Sequence, residues 1–104
     1  MNRIPQVLAA GFVLLASQTV VAQSISRGEI IANTCFTCHG THGVSPSSIP
    51  SIDFIPAGRM IEILRAYKTG QRYSTVMGRH ATAYSDEEIV EVANFLANLQ
   101  KKGK

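Results

Sequence analysis

Cys35-Phe36-Thr37-Cys38-His39 sets two thiols three residues apart, with an imidazole directly after the second. On a helical turn residues i and i+3 share one face. Both sulfurs can therefore reach the two vinyl groups of one porphyrin and form thioethers, and the histidine that follows can take the iron as proximal ligand. On that ground C-x-x-C-H is read as a c-type haem attachment site. Other uses of the two cysteines fit less well. A thioredoxin-like redox pair calls for a βαβ context, and a zinc site calls for a second Cys/His pair at suitable spacing. A structural bridge across so short a loop would constrain little of the unfolded chain.

A haem iron held by His39 alone is open to small ligands, whereas His/Met ligation fills the sixth position and raises the potential. Met60, Met77, His42 and His80 compete for that position. Met60 falls in a helical apolar stripe, where methionine ordinarily fills core. His42 is three residues beyond His39, too close along the chain to reach the opposite face of the ring. Met77 lies between Gln71 and Tyr84, a weakly periodic stretch in which irregular backbone can aim one side chain at the iron. It is the expected ligand, with His80 as the alternative and a surface histidine as that residue's plainer reading. With both axial positions filled there is no site for a substrate, and the expected task is electron transfer. No residue is a candidate acid, base or nucleophile acting on substrate. A five-coordinate gas-binding or peroxidase-like protein is the contrasting reading, and it requires that Met77 not ligate.

The elements that must position these groups are helical. Ser26 followed by Glu29 is a capping-box signature that opens a helix from Arg27 into the haem motif, with Ile30, Ile31 and Thr34 at helical offsets. Gly40 to Pro56 holds too many glycines and prolines for a helix and is expected to wrap one haem edge as a loop. Ala57 to Thr69 carries Met60, Ile63, Leu64 and Tyr67 at i, i+3, i+4, i+7 and ends at Gly70. Ser85 and Glu88 repeat the capping box before a helix through about Leu99, whose buried stripe is Ile89, Val92, Ala93, Leu96 and Leu99, with Phe95 beside it. The Lys101 to Lys104 tail is read as frayed. No segment alternates with period two, so no sheet is expected. The expected fold is all-α, three main helices plus loops wrapped around one covalent haem.

The chain has 104 residues, room for one small domain. Residues 1-22 read as a cleaved signal peptide: Arg3 is the positive n-region, Val7 to Ala16 the apolar run, and Val20-Val21-Ala22 the small residues before cleavage. A retained anchor is the alternative. Residues 23-104 then form the domain, outside the cytoplasm and expected in the periplasm. Only six aromatics remain in it, Phe36, Phe54, Tyr67, Tyr73, Tyr84 and Phe95. So thin a core needs a supplement, and a porphyrin disc supplies apolar surface to bury. The chain without haem is expected to be largely unfolded. The formal charge of +3 loses one unit with Arg3, too weak a balance to argue for nucleic acid. Arg59, Arg65, Lys68, Arg72 and Arg79, and the acidic run Asp86, Glu87, Glu88 and Glu91, read as solvated faces and a charged helix start.

The domain resembles class I c-type cytochromes, with Gly28 in the helix leading into C-x-x-C-H, a Met-bearing loop, and a last helix carrying Phe95. The resemblance implies that the first and last helices cross closely at Gly28 and Phe95. It sharpens at Cys38-His39-Gly40-Thr41-His42-Gly43, Tyr67-Lys68-Thr69-Gly70, Ser74-Thr75-Val76-Met77-Gly78-Arg79 and Tyr84-Ser85. There the chain looks like the cytochrome subunits of flavocytochrome c sulfide dehydrogenases. Such subunits accept electrons from a separate flavoprotein that oxidises sulfide to sulfur at an FAD and a redox-active disulfide, and pass them to a soluble carrier. The resemblance thus implies one covalent haem c here, FAD only on a partner subunit in a heterodimer, no nucleic acid, and no membrane once the leader is removed. It also implies Cys35 and Cys38 as covalent anchors and His39 and Met77 as axial ligands. Some members carry two haem domains, whereas this chain has a single C-x-x-C-H. A free periplasmic electron shuttle, or the haem subunit of another dehydrogenase, shares the same chemistry. Ile49, Ile52, Phe54 and Ile55 in the Pro-rich loop are expected either on the porphyrin or at an interface. Tyr67, Tyr73 and Tyr84 are read as propionate partners or core-edge residues.

Overall fold

A computed structural model describes residues 24–103, together with 11, 14 and 16–19. The leader expected over 1-22 lies for the most part outside the described residues. Among those described, no helix is long and apolar enough to cross a membrane.

Four helices and no strand make up the described residues: α1 (Arg27–His39), α2 (Ala57–Thr69), α3 (Met77–Thr82) and α4 (Asp86–Lys102), with a 3-10 turn at Thr41–Gly43. The capping box read at Ser85 is complete, whereas the one read at Ser26 makes only its first bond. Ser26 Oγ accepts the Glu29 N–H. At Ser85 the hydroxyl accepts the Glu88 N–H while the Glu88 carboxylate accepts the Ser85 N–H. The same carboxylate takes the Arg27 guanidinium, so the starts of α1 and α4 are tied together. The Ser85 N–H, and after it the Arg27 guanidinium, hold the Glu88 carboxyl below the usual carboxylate range. α2 stops at Gly70 in the left-handed region (φ 78°), a common helix ending that removes any Cβ penalty.

Two expectations change. Residues 71–84 are not irregular throughout, because Met77–Thr82 form a short helix. It has no side-chain cap and no clear period, which is why only packing reveals it. α4 also runs past Leu99 to Lys102, where Lys101 and Lys102 complete a last turn that favours cations. The basic residues behave as a solvated face. Arg59 pairs with Glu62 within α2, Arg65 and Lys68 face Asp86, and Arg72 lies 5.3 Å from the Tyr67 ring centre.

The buried apolar residues are Ile31, Ala32, Met60, Ala81, Ile89, Val92, Ala93 and Leu96, with no aromatic among them. α1 packs mainly on α4, and α2 lies against both α3 and α4. The α1–α4 crossing depends on Gly28, where an added Cβ would stand 2.6 Å from the Glu91 carbonyl oxygen and 3.3 Å from Phe95 Cβ. Backbone cannot yield as a flexible side chain does, so Gly28→Ala is expected to destabilise by about 2–3 kcal/mol. At Gly58 in α2 the space is open. Gly58→Ala is therefore expected to stabilise by about 0.5–1 kcal/mol, because alanine loses less backbone entropy in a helix. Thermal midpoints of the two haem-loaded variants moving in opposite directions check the pair.

Candidate haem attachment site

Both cysteines lie on the C-terminal half of α1, Cys35 half-buried against the core and Cys38 exposed. Burial pushes the Cys35 thiol up, and the neighbouring Cys38 adds to this, while a backbone hydrogen bond opposes it. The surroundings of Cys35 thus disfavour a thiolate.

His39 is the last residue of α1. Its Nδ1 lies 2.6 Å from the Pro50 carbonyl oxygen. A carbonyl can only accept, so Nδ1 carries the proton and Nε2 is left as the ring's free ligand atom. The loop that brings Pro50 back is built by the residues after the motif. Gly40 has φ 85°, and an added Cβ would fall 1.9 Å from the Val44 carbonyl oxygen. The Gly43 carbonyl accepts the N–H groups of Ile52 (2.8 Å) and Asp53 (3.2 Å), and the Ser45 N–H reaches Ser51 Oγ at 2.8 Å. Each bond closes part of the turn between His39 and Pro50.

Of the four candidates for the second axial position, Met60 is 4% exposed within the core, already committed to packing. His42 is exposed, with φ 56° and its ring edge-on to Phe36 at 6.0 Å. His80 is exposed on α3. Met77 is half-buried at the first position of α3, where the Ser74 hydroxyl accepts the Gly78 N–H at 2.7 Å.

The donor set fits a covalent haem: two thiols on one helix and an imidazole whose tautomer is fixed by the Pro50 carbonyl. The apolar surface agrees with this. Val44 (57% exposed), Ile49 (39%) and Phe54 (71%) follow His39, and Val76 (56%) precedes Met77. Ile52 and Ile55 are half-buried and touch the protein core. Among the described residues no three His, Cys, Asp or Glu side chains gather as a metal-ion site, which leaves the zinc reading without a donor set. Nothing in the sequence marks Pro50 as a functional residue. Every residue carries a carbonyl, and only the path of the loop selects this one.

The cytochrome c family model matches residues 25–100. The chain is 49% identical over 77 residues to the cytochrome subunit of sulfide dehydrogenase of Chlorobaculum tepidum, covering 74% of this chain and 70% of that relative.

Proposed function

The chain belongs to the cytochrome c family, and on that premise we propose that it is the monohaem electron-transfer subunit of a sulfide-oxidising complex. It takes electrons from an FAD flavoprotein partner and passes them to a soluble carrier in the periplasm. The chain itself performs no substrate chemistry. Cys35 and Cys38 would hold haem c as thioethers, and His39 Nε2 and Met77 Sδ are the side-chain atoms that would be offered to its iron. Haem c, once attached, supplies a one-electron ferric/ferrous couple. The Pro50 carbonyl keeps the proton on His39 Nδ1 and raises the basicity of the ring as a ligand. Cys38 is the exposed anchor and Cys35 the half-buried one, so a redox partner approaches from the Cys38 side.

The observation that carries the electron-transfer reading is the C-x-x-C-H constellation with the His39 tautomer already fixed. The sulfide half rests on the relative that shares 49% identity. The periplasmic location rests on the leader-like residues 1-22. The test is purification of the tagged protein from its native periplasm, with flavin and haem absorbance read together. A flavin at fixed ratio to haem, with rapid haem reduction on adding sulfide, is the expected result. Haem alone, reduced only by added mediators, would identify a free shuttle instead.

A further inference from the structure

α3 is six residues long, too short to hold a helical conformation or a position by itself. Whatever fixes it against its neighbours therefore fixes Met77, its first residue. On the N-terminal side, Ser74 Oγ takes the Gly78 N–H, and a Cβ at Gly78 would stand 3.5 Å from the Tyr67 carbonyl oxygen of α2. On the C-terminal side, the chain leaves through Ala83 and Tyr84, whose N–H groups return to the carbonyls of His80 and Ala81. The next carbonyl, that of Tyr84, is taken from outside the segment by Lys68 Nζ, at 2.7 Å, from the last turn of α2. The same ammonium stands 3.5 Å from Asp86 Oδ1 at the start of α4. The Lys68 side chain is 29% exposed, against 54% for Arg59 on the same helix. Arg65 of α2 also faces Asp86, at 4.0 Å, but Lys68 is the one of the two that donates to a backbone carbonyl of the junction between α3 and α4.

We propose that Lys68 is a positioning residue for Met77, clipping the far end of α3 to α2 so that the methionine stays in place. The proposal rests on the reading of Met77 as axial ligand. A charged donor on a carbonyl forms one of the stronger hydrogen bonds available to a protein. When the clip is removed, the half-buried Tyr84 carbonyl turns to water, so the whole domain loses little. The loss falls on α3, which opens locally more often and takes Met77 with it.

The test is imidazole binding to the ferric, haem-loaded protein. Imidazole can enter only after Met77 leaves, so at high concentration the rate reports Met77 departure. Lys68→Leu is expected to raise that limiting rate about tenfold while the far-UV thermal midpoint falls by only about 5 °C. Lys68→Arg restores a rate near that of the wild type, and Arg59→Leu, which removes a charge that never leaves α2, has no effect. Should Lys68→Leu not accumulate with haem, Lys68→Gln carries the same expectation, since its shorter neutral amide cannot replace the ammonium. A wild-type rate in the lysine variant, or equal acceleration by Arg59→Leu, would overturn the role of Lys68. A wild-type protein lacking the thioether–iron charge-transfer band would overturn the Met77 assignment, and the proposal with it.

Discussion

Cys35→Ala, Cys38→Ala protein is expected to lose most of its helical circular dichroism and its cooperative melt together with its haem absorbance. The reason is the size of the protein core. Its buried residues are few and mostly small or medium aliphatics, and every aromatic among the described residues is left partly or fully exposed. A domain of this size buries a low fraction of its unfolded surface even when well packed. Helices of 13 to 17 residues are marginal when isolated. The α1–α4 crossing at Gly28 and the Arg27–Glu88 pair are interactions of the protein alone, so they survive the double substitution. The expectation is that they do not suffice. Val44, Ile49, Phe54 and Val76 would expose their side chains to water without a partner. The measurement is far-UV circular dichroism against temperature on the purified variant. Full helical signal with a cooperative transition and no haem absorbance would show that the polypeptide core is sufficient, and the supplement argument would be withdrawn.

The sequence carried the attachment motif and the three long helices because each has a local signature. Ser26 and Ser85 are caps, Gly70 is a terminator, and the stripe of α4 places Ile89, Val92, Ala93 and Leu96 on one buried face. What the sequence did not carry is contributed by backbone groups or by distance along the chain. The Pro50 carbonyl reaches back eleven residues to His39, and nothing about proline marks its oxygen as an acceptor. Gly40 and Gly43 register in the sequence only as breakers. In the fold one permits a close pass by Val44, and the other offers its carbonyl to Ile52 and Asp53. α3 had no periodic signal because six residues are less than two turns, and its helical state is a consequence of docking on α2. Lys68 looked like one of several surface cations until the path of the chain brought the Tyr84 carbonyl to it.

Met77→Ala is expected to abolish the thioether–iron charge-transfer absorption at the red edge of the ferric visible spectrum and to open the reduced protein to carbon monoxide. The competing donors are constrained by their surroundings rather than by chemistry. Met60 could reach an iron only by leaving the core, at a cost of about 2–5 kcal/mol judged from truncation of comparable side chains. His42 sits in the 3-10 turn that follows His39, with its ring against Phe36. His80 is exposed on α3 and is the donor nearest along the chain to Met77. The variant spectrum therefore discriminates among outcomes. Prompt carbon monoxide binding marks an empty sixth position, whereas a low-spin spectrum that resists carbon monoxide marks capture by His80, which Met77→Ala, His80→Ala would release. Loss of the thioether also removes the ligand that raises the potential, and since axial ligand identity spans roughly 0.8 V across haem proteins, a fall on the order of 0.2 V is expected. A wild-type spectrum without the band, unchanged in the variant, would remove Met77 as ligand, and carbon monoxide binding to the reduced wild type would then mark the five-coordinate class, its refusal ligation by His80. An open sixth position would then put ligand binding in place of electron transfer. The identity of one half-buried methionine at the head of a six-residue helix thus separates the two kinds of haem chemistry this chain could perform.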